Sequence, residues 1–136
     1  MTAGERNLAP ATLLGGTVFF TTFIPTNDIC KARGSGQLYA VYYLTGGPYT
    51  ASAIGTVTSG SSTLATKSLS LGAGLPTQMQ IHIGAELPTT YVPPTPGDCA
   101  GSRTIGITQT STGAAAITCL KPAKPFYSRM VSWRDL

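Results

Sequence analysis

This sequence is short of charge. Lys, Arg, Asp and Glu make up 10% of its 136 residues, against about 25% in ordinary soluble domains. Nine basic and five acidic residues leave a net charge of +4. The basic residues, Arg6, Lys31, Arg33, Lys67, Arg103, Lys121, Lys124, Arg129 and Arg134, form no run. A nucleic-acid binder is expected to carry a clustered basic stripe, so no nucleic-acid partner is expected. Long apolar runs are missing too. No stretch reaches the roughly 20 residues of a membrane helix, and no membrane insertion is expected. No stretch keeps a helical period. The opening residues MTAGERNLAP hold no apolar core of a secretory signal. A secreted chain would then be cut from a longer precursor or have lost its signal.

Chemistry-bearing residues are equally sparse. The one histidine is His82, which rules out a multi-histidine metal site. In TQMQIHIG it falls on the side of Gln78 and Gln80, a polar face. No G-x-S-x-G occurs, and GSGQ and GSS read as turns. The five carboxylates are Glu5, Asp28, Glu86, Asp98 and Asp135, and spacing nominates no pair among them for glycoside hydrolysis. Asp28 and Asp98 read as turn caps, and no acidic calcium loop is present. Nothing resembles a strand–glycine loop–helix cradle for phosphate. The expectation is a protein with no catalytic residues, no cofactor and no metal ligands.

What takes the place of charge is Thr, Ser, Gly and Pro, with a hydrophobic fraction of 42%. That fraction is too high for a disordered tail. Strand signals recur between Gly and Pro breaks. PATLL leads through Gly15-Gly16 into TVFFTTFI, 17–24, whose two faces carry Phe20 and Ile24 on one side and Phe19 and Phe23 on the other. A glycine-rich loop, 25–36, precedes QLYAVYYL, 37–44, again two-sided, with Leu38 and Ala40 opposed to Tyr39 and Val41. YTASAIGTVTS and TLATKSLSL read as a thin hairpin around residues 59–62. TQMQIHIG alternates cleanly. ELPTTYVPPTPGDCAGS is a Pro-rich loop and a possible contact surface. RTIGITQTS and AAAITCL flank a Thr112-Gly113 turn, and SRMVSWRDL closes the chain. The picture is all-β, with roughly seven to nine short antiparallel strands, in one domain over 1–136. Strands covered on both faces suit stacked sheets. Phe20 and Tyr39 are expected to pack structurally. Val131 and Trp133 are expected to point into the core, with 129–134 pairing to an earlier strand.

There are three cysteines. Cys119 lies in step with Ile117 on an apolar strand face and reads as a buried free thiol. Cys30 and Cys99, both in Gly- or Pro-rich loops, then pair as a disulfide, which suits an oxidising compartment.

The unit LAPATLLGGTVFFTTF…GSGQLYAVYYLTGG, 8–47, is similar to a quinoprotein-type β-propeller repeat. There a strand, a turn and G-x-L-Y-A-L-D-x-x-T-G build part of a blade. Tyr42 or Tyr43 stands where that pattern has its Asp. More widely, GERNLAPATLLGGTVFFTTFIPTNDIC…GSGQLYAVYYLTG resembles the C-terminal propeller of PilY-type type IV pilus assembly and tip-adhesin proteins. The closing ITQTSTGAAAI…SRMVSWRDL is similar to that family's last hairpin and terminal S-W-R-E-L. Residues 48–75 and 86–102 carry no matching signature, and no segment matches the family's aspartate-rich calcium loop.

The resemblance implies a non-enzymatic, secreted or cell-surface bacterial domain that supports pilus biogenesis and surface attachment. It implies the C-terminal part of a larger protein. With four strands per blade, the strands here supply about two blades, too few to close a propeller. The expected partners are the remaining blades, pilus or minor-pilin proteins, and a host or abiotic surface. The alternative is a small secreted β-rich binding module unrelated to pili, taking a glycan through Tyr91, Tyr127 or Trp133.

Overall fold

The computed structural model describes residues 2–26, 34–49, 53–59, 61–84 and 104–121. These residues contain ten strands and no helix. In chain order they are β1 (Arg6–Asn7), β2 (Thr12–Leu14), β3 (Thr17–Pro25), β4 (Gly34–Tyr42), β5 (Thr56–Ser59), β6 (Ser62–Ala65), β7 (Ser68–Ala73), β8 (Gln80–Ile83), β9 (Thr104–Gln109) and β10 (Ala115–Cys119). Every pairing is antiparallel. Cys30, Cys99, Val131 and Trp133 lie outside the described residues, as do Tyr91 and Tyr127.

The largest sheet runs β1-β3-β4-β7, with β2 pairing β3 beyond β1 on the same edge. It is therefore four strands wide. A three-stranded sheet, β10-β9-β8, and a β5-β6 hairpin complete the set. No sheet closes on itself among the described residues.

The long central pair β3-β4 follows from the sequence. Thr, Phe, Val and Ile fill β3, and these residues suit a pleated surface. Phe19 faces Ala40 and Thr21 faces Leu38 across the pair, and all four side chains are buried. That face packs against Met79 and Leu120 from the smaller sheet and against Ala53 and Ile54, with Leu14, Leu69, Leu71 and Ile81 at its margin. Threonine hydroxyls fasten the two layers. Thr21 Oγ1 donates to the Thr77 carbonyl at 3.0 Å and Thr12 Oγ1 to the Met79 carbonyl at 3.3 Å. Each bond ties a side chain of β2 or β3 to the backbone that leads into β8.

Two boundaries differ from those expected. The glycine stretch before Gln37 is strand from Gly34 onward, because Gly34 and Gly36 pair with Pro25 and Phe23 and the missing side chain of Gly34 leaves room for the Phe23 ring. TLATKSLSL is two strands, not one. Thr66 Oγ1 accepts from Ser68 N at 3.4 Å and donates to the Ser68 carbonyl at 2.8 Å. The chain turns there, so that β6 pairs β5 while β7 pairs β4.

The β9-β10 hairpin corrects a third expectation. Its inward face is threonine and glycine: Thr104, Gly106, Thr108 and Thr118 are buried, together with Leu120 beyond the strand. The other face carries Ile105, Ile107, Ile117 and Cys119, half-buried or, at Ile107, 39% exposed. The reason is steric. A Cβ on Gly106 would lie 2.5 Å from Met79 Sδ and 3.3 Å from Leu120 Cδ1. Small residues face in so that Met79 and Leu120 can fill the layer.

Cys119 is thus neither fully buried nor a free thiol: it is disulfide-bonded. Its burial differs from the expectation because the apolar face of β10 is not the buried one. The Cys30–Cys99 bridge expected from the sequence lies outside the described residues.

Candidate functional site

Two side-chain groups stand out on the described surface. The first is built around Glu5. The residues before β1 fold back so that the Glu5 carboxylate accepts from Thr2 N at 2.6 Å, Thr2 Oγ1 at 3.2 Å and Tyr39 OH at 3.2 Å, and also from Thr22 Oγ1. Thr22 and Tyr39 belong to the face of β3-β4 that points away from Met79, and both are buried. Tyr39 is also stacked on its cross-strand partner Phe20, with ring centroids 5.1 Å apart and planes 5° from parallel. The start of the chain covers part of the face that Phe20 and Tyr39 share.

The electrostatics of the group follow. Burial alone would raise the Glu5 carboxyl. The hydrogen bonds from Thr22, Thr2 and Tyr39 outweigh it and hold the pKa below the usual glutamate range. Tyr39 is pushed up to about 12 by burial, by its hydrogen bond to Glu5 and by the negative charge there. Each shift keeps the proton on the phenol and the charge on the carboxylate. A tyrosine held neutral in this way makes a poor base, and every oxygen is already engaged in the fold. The group works as a latch for residues 2–7.

The second group is aromatic and lies where the β2-β3 turn meets the end of β4. Gly15 and Gly16 both have positive φ, 53° and 77°, the geometry of a tight hairpin turn. Gly16 O accepts from Tyr43 N at 3.1 Å. After β4 the chain reverses: Gly46 N donates to Tyr42 O, and Tyr42 N to Gly47 O, both at 2.8 Å. This return brings Tyr49 back against Tyr42, with centroids 5.0 Å apart, while Tyr43 meets Tyr42 edge-on at 5.2 Å. Tyr43 is 53% exposed, Leu44 66% and Leu13 65%. Gly16 allows the arrangement, since a Cβ there would lie 3.3 Å from the Tyr42 ring and 3.5 Å from Tyr43. The chain carries no charged residue from Asn7 to Thr26 or from Gly34 to Thr66.

The alternative glycan reading rested on Tyr91, Tyr127 and Trp133, which lie outside the described residues. The tyrosines that do cluster, Tyr42, Tyr43 and Tyr49, looked from sequence like strand and turn residues. The signal that could have found them is the Gly46-Gly47-Pro48 reversal between Tyr43 and Tyr49. His82 is exposed on the Gln80 side of β8, as the alternation suggested. Among the described residues no group of three or more His, Cys, Asp or Glu is placed to hold a metal ion, and no helix is long and apolar enough to cross a membrane. No known family, curated protein or solved structure matches the chain at a significant level.

Proposed function

We propose that this chain is a non-enzymatic β domain of a type IV pilus-associated assembly and adhesin protein, and that it supports pilus biogenesis and surface attachment. The observation that carries the proposal is sequence order. GERNLAPATLLGGTVFFTTF, GSGQLYAVYYLTG and the closing SRMVSWRDL follow one another as in PilY-type proteins. The strand arrangement is compatible with it. The sheet β2-β3-β4-β7 is antiparallel and four strands wide, the width of one propeller blade, and the repeat-like segment 8–47 supplies three of its strands. On this reading the chain is a fragment of about two blades, completed by further blades in the larger protein. It acts outside the cytoplasm, where a disulfide persists, and its partners are pilus or minor-pilin proteins and the surface to which the cell attaches.

The test is deletion of the encoding gene in its own host. Sheared surface pili and attachment of cells to an abiotic surface should both fall, and both should return with the complementing gene. Unchanged piliation and attachment would sink the proposal.

A further inference from the structure

We infer that the tyrosine cluster at the β4 end, Tyr42, Tyr43 and Tyr49, with Leu13 and Leu44 at the same end of the sheet, is a binding surface for a neutral oligosaccharide. Four observations on the surface lead there.

The first is the exposure of large side chains that the fold does not use. Tyr43, Leu44 and Leu13 are each more than half exposed. They lie at one end of a sheet whose other face already holds the core. Scattered exposed leucines need no explanation, whereas an aromatic side chain grouped with them marks a contact surface.

The second is rigidity. The Tyr43 ring is seated edge-on against Tyr42, which is itself held by Tyr49. Backbone bonds from Tyr42 and Tyr43 to Gly46, Gly47 and Gly16 fix the turn beneath them. A ring fixed in this way loses little freedom when a ligand stacks on it.

The third is the absence of charge in the two segments that form the site. Neither sequence segment that forms it contains Lys, Arg, Asp or Glu. The residues of these segments offer no cation to a phosphorylated, sulfated or sialylated ligand, and none of the basic residues that hold an anionic membrane. The ligand that fits is uncharged.

The fourth is chemical mixture. A pyranose ring shows an apolar C–H face rimmed by hydroxyls. The cluster offers aromatic and leucine carbon together with three phenol groups and the exposed Thr45. Aromatic side chains with one apolar body and one polar tip are suited to such a ligand. The rings meet at 74° and 50°, so they present a folded surface rather than one flat plane.

This surface is independent of the pilus reading. A pilus-negative deletion phenotype leaves it standing, and failure of sugar binding leaves the pilus reading standing.

The experiment is an NMR titration of the oxidised protein with maltohexaose, cellohexaose and laminarihexaose, and with a heparin hexasaccharide as the charged comparison. At least one neutral hexasaccharide should shift the amides of residues 42–49 and 13–16 in a saturable way. Tyr43→Ala should weaken that binding about tenfold, and Tyr43→Phe should hold it within about threefold, because stacking and not the phenol supplies most of the contact. Since Tyr43 is more than half exposed, both variants should keep the wild-type amide spectrum away from the site. The inference is overturned if none of the three neutral sugars binds, if the shifts centre elsewhere, if only heparin binds, or if Tyr43→Ala binds like the wild type. It is also overturned if Tyr43→Ala abolishes self-association instead, for then the occupant is a second copy of the chain.

Discussion

The facing of β9 can be tested by substitutions at adjacent positions. Gly106 looks inward at Met79 and Leu120, and its missing side chain is the space they occupy. A methyl group there would meet Met79 Sδ at 2.5 Å and Met79 Cγ at 3.1 Å. Both are far inside contact distance, and Met79 is 2% exposed, so it has little room to retreat. Overpacking of this kind costs about 1–3 kcal/mol, and Gly106→Ala should destabilise by that amount. Thr108, two residues on and on the same face, has its Oγ1 buried with no hydrogen-bond partner. An unsatisfied buried hydroxyl costs about 1–3 kcal/mol, while an apolar replacement of the same shape relieves it. Thr108→Val should therefore stabilise, by about 1 kcal/mol. Ile107 faces the other way and keeps its branching in Ile107→Thr, so that change should cost under about 1 kcal/mol. Urea denaturation of the oxidised 136-residue protein, with the three midpoints compared at a common slope, reads all three values. The pair Met79→Ala and Gly106→Ala supplies a control. Shortening Met79 opens the space that the new methyl needs, so the double variant should be less destabilised than the two single ones summed, by about 1 kcal/mol or more. If Ile107→Thr costs more than Gly106→Ala, or if Thr108→Val destabilises by more than about 1 kcal/mol, then β9 faces the opposite way and the packing argument fails.

Two further outcomes are expected. Because the folded-state pKa of Glu5 is depressed, the stability it contributes is present above the unfolded glutamate range and is lost as pH falls through the lowered folded value. The urea midpoint of the wild type should drop on acidification below that range, and Glu5→Gln should remove part of the drop; an identical pH dependence in both proteins would refute the latch. Non-reducing peptide mapping should find Cys119 in a disulfide to Cys30 or Cys99 and one free thiol left over, and recovery of Cys119 as the free thiol would refute the connectivity.

Much of the secondary structure was legible in the residues themselves. The Gly15-Gly16 turn, the two-sided strands around Phe19 and Leu38, and the turn at Thr112-Gly113 follow from local chemistry, because glycine and β-branched residues bias the backbone whatever surrounds them. The absence of helical periodicity settled the class. Facing was different. In β9 and β10 the isoleucines alternate with small residues, and hydrophobicity alone assigns the isoleucines to the core. The outcome depended on the side chains across the layer: Met79 and Leu120 filled the space, and only glycine and threonine fitted opposite them. The same holds for Cys119, which is half-buried on the outer face of β10. It holds for Thr66, whose hydroxyl bonds to Ser68 split one apparent strand into two. Glu5 was one carboxylate among five in the sequence, and Tyr42, Tyr43 and Tyr49 were residues of a strand and a turn. What joined Glu5 to Tyr39, 34 residues away, and Tyr49 to Tyr42 was chain reversal in three dimensions. Sequence pattern reports what each short segment prefers; tertiary packing alone decides which side chains share a space.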